Sequence, residues 1–118
     1  MEKGPLRVGV LGAAGRMGQS VCSAIMEAES MELAITVDLV PEEKAIGGIP
    51  LAKDIEAFFE AKVDAVVDFT VAEASVNNLP LLAEKGIDVV VGTSGLTDQD
   101  LQTIGEKFTE SSCLIVPN

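Results

Sequence analysis

The 118-residue chain has no histidine, tryptophan or tyrosine, and its only aromatic residues are four phenylalanines. Without histidine it lacks the commonest general base and the commonest metal ligand, so histidine-based catalysis cannot take place within these residues. With no tryptophan or tyrosine to stack on bases, single-strand nucleic-acid binding is disfavoured. Basic residues are scarce too: 8 Lys plus Arg stand against 19 Asp plus Glu, for a net charge of −11. That sign repels nucleic acid and anionic membrane surfaces. No apolar run approaches the ~18 residues of a membrane span, and Met1–Pro5 has no signal-peptide character, so the reading is a cytosolic chain. Cysteine is limited to Cys22 and Cys113, which lack metal-ligand spacing and read as buried, reduced thiols. No metal site is expected.

What the chain does have is aliphatic bulk. Apolar residues make up 47% of it, enough for one domain spanning residues 1–118 to bury a core. That core is organised around Leu6-Arg-Val-Gly-Val-Leu-Gly-Ala-Ala-Gly-Arg-Met-Gly18, in which an apolar, strand-like run leads into glycines at 12, 15 and 18. Met17, Val21, Ala24, Ile25 and Ala28 then recur at helical spacing, so the glycines occupy a strand-to-helix turn. This is the context of a dinucleotide fingerprint. Gly12 allows a sharp turn, Gly15 lets a pyrophosphate approach the backbone, and Gly18 lets the helix pack close to the strand. The unpaired amides of the first helical turn face the phosphates. Glycine-rich turns also arise where tight packing is the only reason, so the pattern needs a second feature. Asp38 supplies it. It follows the strand-like run Leu33–Val37, about 20 residues past the fingerprint, where a carboxylate accepts hydrogen bonds from an adenosine ribose. Because the whole chain is acidic, an anionic dinucleotide must be held by local groups: the helix N-terminus and, as one of two readings, Arg16. The other reading of Arg16 is a solvated first-turn residue.

Further along, Leu39–Gly48 carries Pro41 and Gly47-Gly48 and reads as a loop. Asp54 is placed to cap a short helix through Ala61 that buries Ile55, Phe58 and Phe59. Val63–Thr70 is the third strand expected, and Thr70 with Glu73 forms a capping-box pattern opening a helix that stops at Gly86. Pro80 lies inside that helix and clashes with the carbonyl of Val76, which predicts a kink or break near residues 77–80. Ile87–Val91 is the fourth strand, Thr97 caps a helix burying Leu101, Ile104 and Phe108, and Cys113–Val116 is the fifth strand, stopped by Pro117. Alternating strands and helices predict an α/β, Rossmann-like parallel sheet of about five strands in the order 3-2-1-4-5, with helices on both faces. Ligands of such sheets bind at the carboxyl ends of the strands, where the fingerprint, Asp38, Phe69-Thr70, Gly92-Thr93-Ser94 and Pro117-Asn118 fall.

Gly12-Ala-Ala-Gly-Arg-Met-Gly18, Val67-Asp-Phe-Thr70, Val91-Gly-Thr-Ser-Gly95 and Val116-Pro-Asn118, in this order, resemble the N-terminal domain of the dihydrodipicolinate (4-hydroxy-tetrahydrodipicolinate) reductases. The resemblance covers essentially the whole chain. It implies an oxidoreductase of the diaminopimelate route to lysine that reduces a cyclic dihydrodipicolinate-type intermediate with NADH or NADPH. By that resemblance Gly12, Ala13, Ala14, Gly15, Arg16 and Met17 hold the pyrophosphate and Asp38 the adenosine ribose. Phe69 and Thr70 line the cofactor, while Gly92, Thr93, Ser94, Val116, Pro117 and Asn118 border the nicotinamide end. Ser94 stands where the family often has threonine, and Val71-Ala72 replaces a common residue-proline pair after Thr70. The family's catalytic histidine and lysine belong to a second, substrate-binding domain that would follow Asn118. No catalytic residue is therefore assigned here, and the expectation is a chain that binds cofactor without turning over substrate by itself. Apolar surface left uncovered by that second part would favour self-association. Asp38 repels a 2′-phosphate, Leu39 follows it, and the nearest cation in sequence is Lys44, so NADH is expected to bind at least as tightly as NADPH. Two other readings are a non-catalytic nucleotide-binding module, redox-sensing or coenzyme A-binding, and an interaction or receiver-type α/β domain with no nucleotide.

Overall fold

In a computed structural model, residues 4–38 and 45–116 are described. The first apolar run forms β1 (Leu6–Leu11) and the fingerprint leads into α1 (Arg16–Glu27). There follow β2 (Met31–Val37), β3 (Ala45–Ile46), β4 (Ile49–Ala52), α2 (Glu56–Glu60), β5 (Ala65–Asp68), α3 (Ala72–Glu84), β6 (Asp88–Val91), α4 (Asp98–Lys107) and β7 (Cys113–Ile115). The described strands make one seven-stranded sheet in the order β3-β4-β2-β1-β5-β6-β7, parallel throughout except for the β3–β4 pair. No helix among the described residues is long and apolar enough to cross a membrane.

Period-two alternation along β1 divides the core. Val8 and Val10 point toward α1 and cluster with Ala13, Cys22, Ile25, Leu33 and Leu51. Leu11 points to the opposite face, where Phe58 of α2, Leu79 and Leu82 of α3 and Ile104 of α4 pack with Val37, Val66, Val89 and Val91. The helices thus lie on both faces, as the alternating pattern requires. Gly9 matters here, because a Cβ at that position would sit 2.5 Å from the Phe58 ring. At the far edge Leu114, Ile115 and Val116 are exposed, at 61%, 39% and 41%.

The sheet has the expected Rossmann-like α/β form, with seven strands where about five were expected, and corrects their order. Ile46-Gly-Gly-Ile49 is the turn of a hairpin, with both glycines at positive φ (54° and 83°), and β4 pairs in parallel with β2. Counting β4 as the third strand, the order 3-2-1-4-5 continues through β7, whereas the run around residues 65–68 lies beside β1 on its other side. Pro50 hid this strand by its composition, and its carbonyl accepts from Thr36 Oγ1 at 2.9 Å, which ties β4 to β2. Most of the expected loop, residues 39–44, lies outside the described residues.

Two helix expectations also change. Of the kink or break expected near residues 77–80, the break does not occur: α3 is continuous through Pro80, with Leu79, Leu82 and Ala83 buried around it and Val76 exposed. Its N-cap is Val71 with no side-chain bond, because the Thr70 hydroxyl turns inward to Asp68 instead. α4 starts as expected at a full capping box: Thr97 Oγ1 accepts from Asp100 N and Asp100 Oδ2 accepts from Thr97 N, both at 3.0 Å. Thr97→Ala is expected to lower stability by about 1 kcal/mol in urea unfolding with an unchanged m-value. A loss under ~0.3 kcal/mol would show that the cap contributes nothing to the folded state.

Candidate functional site

The β1–α1 turn is held by its own backbone. Gly12 N and Ala13 N donate to Val37 O at 2.8 and 3.3 Å, which ties the turn to the end of β2. Ala14 N donates to Asp38 Oδ2 at 2.9 Å. Gly15 is the N-cap and provides no side-chain cap, and the first helical bond runs from Gln19 N to Gly15 O. The amides of Arg16, Met17 and Gly18 therefore have no acceptor within the helix, and they carry the positive end of its dipole.

The three glycines differ in what a side chain would meet. Gly12 is at φ +84° with Phe69 O 2.7 Å from a would-be Cβ, and at Gly18 a Cβ would run into the Gly12 carbonyl oxygen. At Gly15 the nearest atom is Gly12 O at 3.6 Å, so the space there is open. A cradle that only a missing Cβ leaves clear, beside unpaired amides, fits a diphosphate.

A cleft of about 470 Å³ opens at this point, lined by Gly12, Gly15, Asp38, Phe69 and Thr70 of the expected residues. Its size suits a small-molecule ligand. Besides Leu11 and Val37 at the strand ends, the wall includes Lys53, Asp54, Ile55, Val71, Ala74 and Asn78. These were not foreseen. Lys53 and Asp54 follow the strand hidden by Pro50; the register Val37↔Ala52 puts Lys53 next to Asp38 across the sheet, and Asp38 N donates to Ala52 O at 2.9 Å. Asn78 is one turn of α3 beyond Ala74, and no local signal marked it.

The other expected residues are placed differently. Ala13 is fully buried in the core, and Ala14 contributes its amide. Arg16 and Met17 are exposed and off the cleft wall; Arg16 borders a shallow depression with Gln19, Ser20 and Ser23. Gly92 and Thr93 are buried at the end of β6, Ser94 is exposed, and Val116 N donates to Val91 O at 2.8 Å. Pro117 and Asn118 lie outside the described residues.

Behind Thr70 is a buried carboxylate. Asp68 is fully buried; its Oδ1 accepts from Thr70 N at 3.0 Å and Thr70 Oγ1 at 2.7 Å, and its Oδ2 accepts from Ser75 Oγ at 2.6 Å. Ser75 Oγ lies 2.9 Å from Thr93 Oγ1. Burial pushes the thiol of Cys113 up, with a further push from the negative Asp68, and burial does the same to Cys22 against a small opposing backbone hydrogen bond. Both cysteines are therefore protonated and poor nucleophiles near neutral pH. No group of three potential metal ligands occurs among the described residues.

A parallel sheet in this order, a glycine turn with open amides and an acid at the end of the next strand define a Rossmann-type domain. The WlbA dehydrogenase of Bordetella pertussis, solved with NADH and UDP-GlcNAcA, shares that fold with a TM-score of 0.83 at 21% identity, over 98% of this chain and 36% of its own. Residues 6–118 match the sequence model of the dihydrodipicolinate reductase N-terminus, and the chain belongs to that family. It is 36% identical to 4-hydroxy-tetrahydrodipicolinate reductase of Methanopyrus kandleri, over 92% of this chain and 45% of the relative. Dipicolinate-bound dihydrodipicolinate reductase of Paenisporosarcina sp. TG-14 superposes with a TM-score of 0.84 at 26% identity, over 97% of this chain and 48% of that one. The chain thus spans about half the length of these relatives.

Proposed function

We propose that the chain is the cofactor-holding part of a 4-hydroxy-tetrahydrodipicolinate reductase and binds NADH or NADPH in the cleft between α1 and α3. The observation that carries this reading is the meeting, in one cleft, of the open backbone at Gly15 and the Asp38 carboxylate. The diphosphate would lie on the amides of Arg16, Met17 and Gly18, and the adenosine ribose would donate to Asp38. The bound cofactor supplies hydride; the chain's own residues bind and orient it.

Reduction of a dihydrodipicolinate-type substrate is proposed to need residues beyond these 118. The sequence holds no histidine, both cysteines are buried or half-buried neutral thiols, and the lysine on the cleft wall, Lys53, stands at the Asp38 end. Substrate-dependent NADH oxidation by the purified chain would overturn this.

Calorimetry with NADH and NADPH tests the binding itself. Asp38 disfavours a 2′-phosphate, so NADH is expected to bind at least as tightly as NADPH. Lys53 beside it narrows the difference, and Lys53→Met is expected to weaken NADPH more than NADH. NADPH binding more than tenfold tighter than NADH, ~1.4 kcal/mol, would contradict the assignment of Asp38. No heat with either cofactor, or a liganded crystal with the nucleotide outside the cleft, would overturn the proposal as a whole.

A further inference from the structure

We infer that Ser75 is a positioning residue for the nicotinamide half of the cofactor, acting through Asp68 and Thr93 on the Gly92-Thr93-Ser94 turn. The inference rests on the cofactor reading above and adds a role for α3 in it.

Burying a carboxylate is costly unless hydrogen bonds replace its water. Asp68 has three donors and is fully buried, while the one ion pair among the described residues, Arg7–Glu32, is elsewhere on the surface. An apolar side chain would pack that position at less cost, so what the carboxylate adds is direction: each oxygen fixes a different neighbour.

Counting protons shows how. Oδ1 takes both donors of Thr70, which lines the cleft. Oδ2 takes the single proton of Ser75, in the shortest bond of the group at 2.6 Å. The same Ser75 oxygen lies 2.9 Å from Thr93 Oγ1 and 3.2 Å from Thr70 Oγ1, so one hydroxyl joins Asp68 to both threonines. Thr93 Oγ1 also donates to Asp68 O, at a longer 3.4 Å.

The chain Asp68–Ser75–Thr93 therefore fastens the end of β6 to the end of β5 at the carboxyl edge of the sheet, where ligands of this fold sit. Ser75 is its middle member. Removing the Ser75 hydroxyl leaves Thr70 on Oδ1 but ends its 3.2 Å contact with Ser75, and it leaves Thr93 only the 3.4 Å bond to Asp68 O, so the effect falls at the ends of β5 and β6 and away from the Gly15 and Asp38 end of the cleft.

The test titrates the 118-residue chain with NADH and with ADP-ribose, which lacks the nicotinamide. Ser75→Ala is expected to weaken NADH about five- to tenfold while ADP-ribose stays within about twofold. The rise in NADH fluorescence on binding should fall in parallel, a signature that a merely destabilised fold would not give at saturating ligand. Thr93→Val breaks the same bond from the other side with little change in volume and carries the test if Ser75→Ala does not fold. The double variant is expected to be no weaker than the worse single one, since both cut one chain. Unchanged NADH affinity in both variants, or equal loss of NADH and ADP-ribose, overturns the positioning role. A wild-type chain that binds neither ligand overturns the cofactor reading, and this inference with it.

Discussion

Gly18→Ala is expected to cost about 3 kcal/mol or more of stability and to abolish measurable NADH binding. The added Cβ would lie 2.8 Å from Ala13 Cα and 2.9 Å from the Gly12 carbonyl carbon, and it would run into the Gly12 oxygen. All three are backbone atoms, so no rotamer relieves the contact. The turn cannot retreat cheaply either, because Gly12 and Ala13 are both hydrogen-bonded to Val37 O and Ala14 to Asp38. Helix α1 must then move away from β1, which opens the core around Cys22 and Ile25. Against a typical total of ~5–15 kcal/mol for a domain, that is a large fraction. Gly15→Ala separates fold from function: its Cβ meets nothing closer than 3.6 Å, so urea unfolding should be nearly unchanged while NADH affinity drops as the cradle fills. Equal stability of the two variants would refute the distinction drawn between these glycines.

Asp38→Ala is expected to weaken NADH by ~10- to 100-fold, about 1.4–2.7 kcal/mol, measured by calorimetry. Two losses combine. The ribose hydroxyls would lose a charged acceptor, and the Ala14 amide loses the 2.9 Å bond that closes the glycine turn. Asp38→Asn keeps the shape and one acceptor oxygen and should fall between wild type and alanine. An affinity within about twofold of wild type in Asp38→Ala would remove the acid from the site.

The features readable in the chain were those marked by residue size and short spacing. Thr97 and Asp100 are three residues apart and cap α4 as their spacing indicates. Gly12 and Gly18 play the turn and close-packing parts their positions suggest, and at Gly15 the space beside the backbone is open. Thr70 and Glu73 have the same spacing as Thr97 and Asp100 but form no such cap. The Thr70 hydroxyl has a better acceptor in the carboxylate of Asp68, which is fully buried and also held by Ser75 of α3. β4 was missed for a related reason. A short segment containing Pro50 has little strand propensity of its own and is held by β2 on one side and β3 on the other.

The sequence by itself determined the alternation of strands and helices, the glycine turn and the acid that follows it, because hydrophobic period and residue size act within a few residues. Only the tertiary structure decided that Lys53 stands beside Asp38, that α3 contributes Asn78 to the cleft, and that Asp68, Ser75 and Thr93 form one buried chain. Those contacts join residues 7 to 18 apart or on separate strands, and their free energy comes from pairing polar groups in a space that exists only after the sheet has formed.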